Sequence, residues 1–360
     1  MERAIIAMSG GVDSSVAALL TKQAGDECIG VTMKLYHNED VGVERQTACC
    51  SLDDVEDARA VCRRLGMRFY VFNFTDCFKE TVIGRFVDAY LHGRTPNPCI
   101  DCNGYLKFGK LLQRMRELQM DYVVTGHYAR VEYEELSGRY LLKKGLDESK
   151  DQSYVLYMLT QEQLAHIRLP LGELTKDEVR RIARENDFVN AGKRDSQDIC
   201  FVPDGDYAKV IEAVTGEISR PGEFVDRTGK VLGQHEGIIH YTIGQRRGLR
   251  LAAGERMYVT DISPDDNRVV LGRNEDLFHT GLVAEQVNLI ACDSLAEPMR
   301  VMAKIRYRHR EQPAIAWQAA DGGLHVRFDE PQRAVTKGQA VVLYDGDSVV
   351  GGGVICGIED

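Results

Sequence analysis

The sequence predicts an α/β protein: a doubly wound parallel sheet over residues 1–205, followed by two small β-rich domains over 206–275 and 280–360. Three observations carry this reading. Apolar runs of strand length alternate with amphipathic stretches of helix length through about residue 205, the pattern of βαβ units with helices on both faces of a parallel sheet. A loop rich in Gly and Ser, Ser9–Ser15, separates the first apolar run from the first helical stretch, as expected where a ligand sits at the carboxyl end of a strand. Beyond about Asp204 one helical stretch near 206–215 gives way to short β-type runs punctuated by Gly and Pro, which suits small barrels or sandwiches.

Element by element, RAIIAM (3–8) reads as a buried strand and the stretch from about Asp13 to Ala24 as a helix. CIGVTMKLY (28–36) reads as a second parallel strand. In SLDDVEDARAVCRRLG, Ser51 is placed to cap a helix. Leu52, Val55, Ala58, Val61, Cys62 and Leu65 form its apolar stripe, and Gly66 ends it. RFYVFNF is a strand, a long helix is expected over about 76–91 and another over about 103–118, and DYVVTG (121–126) is the next strand. VEYEELSGRYLLKKG (131–145) reads as a hairpin turning at Ser137-Gly138, and TKDE (175–178) is a capping box opening a helix that runs to about Asn186.

The chain has 360 residues, 44% hydrophobic and 28% charged, which excludes collagen-like, disordered and disulfide-scaffold classes. Its apolar runs fall short of the ~18–20 residues of a membrane helix, and MERAIIAMSGG is a poor secretory signal, so a cytoplasmic location is expected. A net charge of −10 argues against nucleic acid only on average, because phosphate contacts depend on local clusters. Ten cysteines in such a chain point to thiols, metal ligands or catalysts in preference to disulfides. Cys28, on a strand, and Cys62, on a helix's apolar face, read as core thiols.

Ser9-Gly10-Gly11-Val12-Asp13-Ser14-Ser15 lies between a strand and a helix N-terminus. Glycines let the backbone approach a polyanion, first-turn amides point at it, and three hydroxyls add donors. The Gly-Lys-Ser/Thr ending of the Walker A loop is absent. Asp13 is out of place beside phosphates unless it serves a cation travelling with them, which points to Mg2+. The loop SGGxDS resembles that of the ATP-pyrophosphatase (PP-loop) superfamily, also described as adenine nucleotide alpha hydrolase-like. That resemblance implies cleavage of ATP to AMP and pyrophosphate in order to adenylate an oxygen.

Two cysteine segments bear on the acceptor. Arg94-Thr95-Pro96-Asn97-Pro98-Cys99-Ile100-Asp101-Cys102-Asn103 is a stiff, proline-held loop expected to present Cys102 at a helix N-terminus, where the dipole favours a thiolate. Asp195-Ser196-Gln197-Asp198-Ile199-Cys200-Phe201 is the other. A redox disulfide, a zinc site and sulfur transfer are all readings of these thiols. Thioredoxin-like surroundings are missing for the first. Zinc needs two ligands beyond Cys99 and Cys102, and adjacent cysteines such as Cys49-Cys50 chelate poorly. In sulfur transfer, one cysteine carries a persulfide and a second releases the sulfur. Cys77 takes no role in any of the three.

With MSGGVDSS, TPNPxxxCN, TGHYAR (125–130), GLDESKDQSYVLY (145–157), DSxxICF, HYTIGQRRGL (240–249) and GGGVI (351–355) in this order, the whole chain resembles the tRNA-specific 2-thiouridylase family. The resemblance implies ATP-dependent 2-thiolation of the wobble uridine, position 34, in tRNAs for Lys, Glu and Gln. A cysteine desulfurase or sulfur-relay protein would supply the sulfur. It makes Cys200 the persulfide carrier and Cys102 the partner nucleophile, joined transiently as a Cys102–Cys200 disulfide. It assigns ATP contacts to Ala7, Met8, Ser9, Gly10, Gly11, Val12, Asp13, Ser14, Met33 and Gly126, the last as a place where adenine or ribose approaches the backbone. RNA contacts fall on Asn97, Pro98 and Cys99 around the base, and on His127, Lys150, Asp151, Gln152, Arg306, Tyr307 and Gln339. One position departs from the pattern, because many members carry aspartate where this chain has Cys99. That opens a second route, in which Cys99, Cys102 and Cys200 hold a [4Fe-4S] iron–sulfur cluster with one iron free for sulfide.

Independently of any family, KIRYRHR (304–310) read as a strand would put Lys304, Arg306, Arg308 and Arg310 on one face. Such a stripe needs anions nearby, although a charge-protected sheet edge would look the same. Residues 206–360 carry 18 basic and 23 acidic residues, so a grip on tRNA would rest on a few positions and weaken with salt. Two other functions remain at this point. An ammonia-using PP-loop synthetase would have no use for the paired cysteines, and a noncatalytic tRNA-binding or sulfur-carrier protein would have no use for a complete phosphate loop.

Overall fold

The computed structural model describes residues 1–42, 52–193, 199–251, 255–295 and 297–360. Ser51, Cys49-Cys50 and the 195–198 part of the second cysteine segment lie outside them. The chain divides into two compact units. The first comprises Met1–Val82, Cys99–Gly205 and Gly346–Val350, and the second Ile83–Pro98, Asp206–Asp345 and Gly351–Asp360. Among the described residues, no helix is long and apolar enough to cross a membrane.

The first unit is built on a parallel sheet of β1 (Arg3–Ala7), β2 (Glu27–Lys34), β3 (Arg68–Asn73), β4 (Tyr122–Val124) and β7 (Ile167–Arg168), in the order β3-β2-β1-β4-β7. From β1 the chain winds outward through β2 to β3, then returns to β4 on the other side of β1. That reversal makes the carboxyl ends of β1 and β4 the switch point, where doubly wound sheets bind ligands. Strands buried on both faces need continuous apolar sequence, and Ala4, Ile5, Ile6, Val123 and Val124 are all fully buried.

Helices α1 (Val12–Gln23), α2 (Leu52–Arg64) and α3 (Lys176–Glu185) cover the sheet. Their inner faces, including Val16, Ala17, Ala58, Val61, Cys62, Val179 and Ala183, join one core with Ala4, Ile6 and Val124. Burial pushes the thiols up to about 11 for Cys28 and about 12 for Cys62, so both are inert core thiols. Thr175 caps α3 by accepting from the Glu178 amide, and the Glu178 side chain returns to the Thr175 amide. β5 (Ala129–Glu134) and β6 (Arg139–Lys144) form the expected hairpin, with Gly138 at φ +66° in its turn.

The helix expected over 103–118 starts earlier and is irregular. Pro98–Asp101 is α-helical, Cys102–Lys110 is a π-helix, and Leu111–Glu117 is α-helical again. Proline suits a first helical position because it lacks only an amide that would have no partner there. The stretch near 76–91 likewise carries a π-helical segment, Lys79–Ile83, between Thr75–Phe78 and Gly84–Leu91.

In the second unit, β8 (Gly222–Asp226), β9 (Val231–His235), β10 (Tyr258–Ser263) and β11 (Arg268–Gly272) form a sheet in the order β10-β11-β8-β9, over a core that includes Phe224, Tyr241, Val259 and Leu271. A second sheet runs β12 (Phe278–Leu289), β15 (Leu324–Arg333), β14 (Gln312–Gln318), β13 (Met299–Lys304), β16 (Ala340–Asp345). β17 (Ser348–Glu359) neighbours β16 and pairs back onto β12, closing a barrel.

The expected strand over 304–310 is not formed. β13 ends at Lys304, and the chain turns, with the His309 amide bonded to the Arg306 carbonyl. Four cations stacked at alternate strand positions would repel one another, and the turn separates them.

Gly30 is the tightest point of the sheet–helix packing, since a Cβ there would lie 2.2 Å from Cys62 Sγ. Gly30→Ala is expected to cost about 1–3 kcal/mol of overpacking strain, read as a lower urea midpoint of the first unit. Adding Cys62→Ala should recover part of the loss.

Candidate active site

Ser9–Ser14 run from the end of β1 into the first turn of α1, at the switch point. Gly10 has φ +76°, a left-handed setting that glycine adopts without penalty. The loop's carbonyls are tied into the protein. Gly11 O accepts from Ser14 Oγ at 3.0 Å and Ser15 Oγ at 3.1 Å, and Gly10 O accepts from Asn190 Nδ2 at 2.9 Å and Lys193 Nζ at 3.3 Å. Ser14 Oγ also accepts from the Ser9 amide at 3.2 Å. The first-turn amides of α1 have no intrahelical acceptor, so the loop offers donors at the positive end of a helix.

Asp13 is held otherwise than the sequence suggests. Lys176 Nζ, at the start of α3, reaches its two carboxylate oxygens at 2.7 and 2.9 Å, and Tyr128 Oη donates to Oδ1 at 2.8 Å. Lys176 is buried. Stripping a buried ammonium of its partner costs on the order of a few kcal/mol, so the two side chains fix each other. Asp13 remains the loop's one carboxylate and the candidate to meet a cation that accompanies phosphates.

Met33 lies half-buried at the end of β2, outside the fully enclosed core. Glycine at 126 also has a reason inside the protein. A Cβ there would meet the Asp13 carbonyl carbon at 2.7 Å and the Ser14 amide nitrogen at 2.8 Å. The close approach is that of the phosphate loop itself. His127 is buried, with Nδ1 2.7 Å from Thr125 Oγ1 and its ring against Phe108. Burial first and Lys107 second hold its pKa well below the usual imidazole value, so the ring is neutral at physiological pH.

The cysteines divide by exposure. Cys99 is exposed, Cys102 is 8% exposed, and Cys200 is intermediate. Because the helix begins at Pro98, Cys102 sits inside it and not at its end. Burial raises the thiol's pKa and outweighs the lowering by Lys107, so the thiolate expected from a helix dipole is not favoured here. Asn103 is buried beside it, and its Nδ2 donates to the Val155 carbonyl at 3.1 Å.

Cys200 is anchored at its backbone. Tyr36 Oη donates to its carbonyl at 2.6 Å, and Phe201 is buried edge-on against Phe78, which stacks on Tyr36. Among the described residues, no three His, Cys, Asp or Glu side chains are grouped to hold a metal ion. Cys99, Cys102 and Cys200 therefore belong to no such group.

Of the expected RNA contacts, Asp151 and Gln152 are engaged in building their own loop. Asp151 accepts from the Gly145 and Ser153 amides and from Ser153 Oγ, while Gln152 Oε1 accepts from the Tyr128 amide at 3.0 Å. Lys150 beside them is half-buried. In the second unit, Gln339 Nε2 donates to the Thr95 carbonyl at 2.7 Å, and the Thr95 amide donates to the Lys337 carbonyl. Gln339 therefore steadies the root of the segment that carries Asn97 and Pro98. Arg306 is half-buried and Tyr307 is exposed on the turn after β13. His309 is pushed down to about 4 by burial first, then by Arg306 and Lys304.

Tyr36, Tyr128, Lys176, Asn190 and Lys193 escaped sequence reasoning. Each reaches the loop or Cys200 across the fold; Tyr36 lay in an expected strand, Tyr128 in the TGHYAR motif and Lys176 in the TKDE capping box, but none of these positions named its partner.

A nucleotide-type anion loop at the switch point of a doubly wound sheet, with cysteines on neighbouring segments, defines an ATP-using enzyme of the PP-loop class. Family models match residues 2–204 as the tRNA methyl transferase HUP domain, 211–273 as its PRC-barrel domain, and 279–355 as the aminomethyltransferase beta-barrel domain. The chain is 53% identical over 354 residues to the tRNA-specific 2-thiouridylase MnmA of Clostridioides difficile (strain 630), covering 98% of each protein. It is 51% identical to the protein of that name in Clostridium acetobutylicum (98% of this chain, 99% of the relative), and 54% identical to MnmA 1 of Thermoanaerobacter sp. (strain X514) over 98% and 97%. The chain belongs to the tRNA-specific 2-thiouridylase family.

Gly126→Ala is expected to push on the backbone of the phosphate loop. The KM for ATP in pyrophosphate release should rise about tenfold or more, with tRNA affinity unchanged in a filter-binding assay.

Proposed function

We propose that this protein is an ATP-dependent tRNA sulfurtransferase that converts the C2 carbonyl of the wobble uridine, position 34, into a thiocarbonyl in tRNAs for Lys, Glu and Gln. The observation that carries the reading is a complete anion loop at the sheet's switch point, in a chain that shares half its residues with 2-thiouridylases along nearly its whole length.

ATP arrives with Mg2+. Ala7, Met8 and the Ser9–Ser14 loop hold its phosphates, with Met33 and Gly126 at the ends of the neighbouring strands. The uridine O2 attacks the α-phosphorus and pyrophosphate leaves. C2 then carries AMP, a far better leaving group than the carbonyl oxygen it replaces.

Cys200 bears the sulfur as a persulfide, supplied by a cysteine desulfurase or a relay protein. Its terminal sulfur attacks C2, AMP departs with the former carbonyl oxygen, and a C2–S–S–Cys200 bond pair remains. The Cys102 thiolate attacks Cys200 Sγ. The electron pair of the broken S–S bond stays on the sulfur bound to C2, giving 2-thiouridine and a Cys102–Cys200 disulfide. Two electrons from a thiol reductant reopen it. Disulfide formation needs the two Cα atoms within about 4.4–6.8 Å at that step.

Asn97, Pro98 and Cys99 wall the splayed base. With cysteine at 99, this position has no carboxylate for proton transfer. His127, Lys150, Asp151, Gln152, Arg306, Tyr307 and Gln339 serve the tRNA side, Asp151, Gln152 and Gln339 by shaping the segments on which neighbours reach RNA. A reaction on tRNA fits a cytoplasmic enzyme. The alternative, a [4Fe-4S] cluster held by Cys99, Cys102 and Cys200, would need all three thiols drawn together, as the disulfide needs two; iron content and visible absorbance of protein purified without oxygen separate the two routes.

Cys200→Ser is expected to abolish 2-thiouridine in tRNA, read by mass spectrometry of nucleosides. ATP-dependent release of pyrophosphate on tRNA should persist; thiolation by the variant would remove Cys200 from its role. The raised Cys102 pKa gives a second expectation. Its thiol is neutral near pH 7, and the thiolate fraction grows about tenfold per pH unit below the pKa. In single turnovers with persulfide-loaded enzyme, the rate of 2-thiouridine formation should therefore climb from pH 7 to 9. A flat profile would show that Cys102 does not limit the release of sulfur.

A further inference from the structure

The segment just before the Cys200 loop holds two side chains to which the reaction above assigns no part. Asn190 is 3% exposed, and its Nδ2 lies 2.9 Å from both Gly10 O and Ser15 Oγ. Lys193 Nζ lies 3.3 Å from Gly10 O, 2.6 Å from Asp54 Oδ1 and 2.7 Å from Asp57 Oδ2. Two donors from one short segment thus converge on a single carbonyl of the phosphate loop.

A carbonyl turned toward the anion would repel it, so the direction of Gly10 O matters to the loop. Gly10 in its left-handed setting packs directly on the backbone of α2: a Cβ at 10 would lie 2.4 Å from the Asp54 carbonyl oxygen. With Gly10 O held by Asn190 and Lys193, the peptide between Gly10 and Gly11 is fixed with its oxygen on the protein side, and its amide, on the opposite edge, donates to Ser9 Oγ at 3.4 Å. Lys193 has a second effect. Asp54 and Asp57, in the first turns of α2, bring two negative charges to the rim of a loop that must receive a polyanion. The ammonium sits between them and the loop.

We propose that Asn190 and Lys193 are positioning residues of the nucleotide site: they lock the Gly10 carbonyl away from the anion and screen the α2 carboxylates from the ATP phosphates. The proposal rests on the reading of Ser9–Ser14 as the phosphate loop and adds to it the residues that set its conformation.

ATP affinity separates the two. Lys193→Met should raise the KM for ATP about tenfold to a hundredfold, with kcat at saturating ATP changed less than about threefold. The tRNA affinity and the sulfane-sulfur loading of Cys200 should match wild type. Asn190→Ala, which removes the second donor to Gly10 O, should act in the same direction.

Lys193→Arg should restore ATP binding in part. Adding Asp54→Asn to Lys193→Met should also restore it, by removing one of the negative charges facing the loop; recovery of the KM for ATP without a matching rise in melting temperature separates screening from relief of an orphaned carboxylate. Thermal melts of each variant report folding independently.

Unchanged ATP affinity in folded Lys193→Met and Asn190→Ala would overturn the proposal. So would a Lys193→Met defect that neither Arg nor the added Asp54→Asn relieves. Failure of the wild-type protein to bind ATP would instead overturn the reading of the loop.

Discussion

A polyanion can be held by a protein backbone only where amides face it and carbonyls do not, and the first unit depends on meeting that demand. Every peptide carries both groups, so a loop that aims several amides at one point must dispose of the matching oxygens. Here Gly11 O is taken by Ser14 and Ser15, and Gly10 O by Asn190 and Lys193. The sheet supplies the place: chain reversal between β3 and β4 leaves a crevice at the end of β1 into which α1 points its N-terminus. Gly126 completes the arrangement, because its missing Cβ lets the end of β4 close against Asp13 and Ser14.

The same burial that makes this site rigid works against the sulfur chemistry. Cys102 is enclosed, and its thiol resists ionisation. An enclosed thiol is protected from adventitious oxidation and exchange, whereas reactivity requires the thiolate. Cys200 shows the opposite balance: its carbonyl is tethered by Tyr36 and its neighbour Phe201 is fixed in the core, while its own side chain keeps partial exposure. In the proposed reaction, a carrier that takes sulfur from a donor needs access, whereas a nucleophile that acts once, on a bound intermediate, can stay sheltered until that step. The wide helical turn over Cys102–Lys110, starting at the cysteine proposed as nucleophile, is the sort of irregularity that often accompanies functional positions.

Much of this was legible in the sequence because its determinants are local. Strand–helix alternation, the Ser9–Ser15 loop, the Thr175–Glu178 capping box and the Gly138 turn depend on residues within a few positions of one another. The strand expected over 304–310 failed because period-two spacing reports only which side chains would share a face, and says nothing of the repulsion among four cations placed there. The helix dipole expected to activate Cys102 failed because the helix starts at Pro98, four residues too early. Lys176, Asn190 and Lys193 were invisible for another reason. Each lies more than 160 residues from the loop group it holds, and nothing in the local pattern of a lysine or asparagine names its partner.

Charge was legible least of all, and the structure explains why a chain of net charge −10 is suited to an anionic substrate. The acidic residues near the phosphate loop face cations: Asp13 pairs with Lys176, and Asp54 and Asp57 share Lys193, which offsets one of their two charges. The histidines in the relevant places add no charge: His127 is held neutral by burial, and His309 stays neutral among Lys304 and Arg306. Attraction for phosphate is then carried by lysines, arginines and backbone amides, none of which titrates near pH 7. An overall negative surface disfavours indiscriminate binding of RNA, and permanent local cations restore it only where the fold places them. Net charge thus describes what the protein repels at a distance, and the paired side chains at the loop describe what it admits.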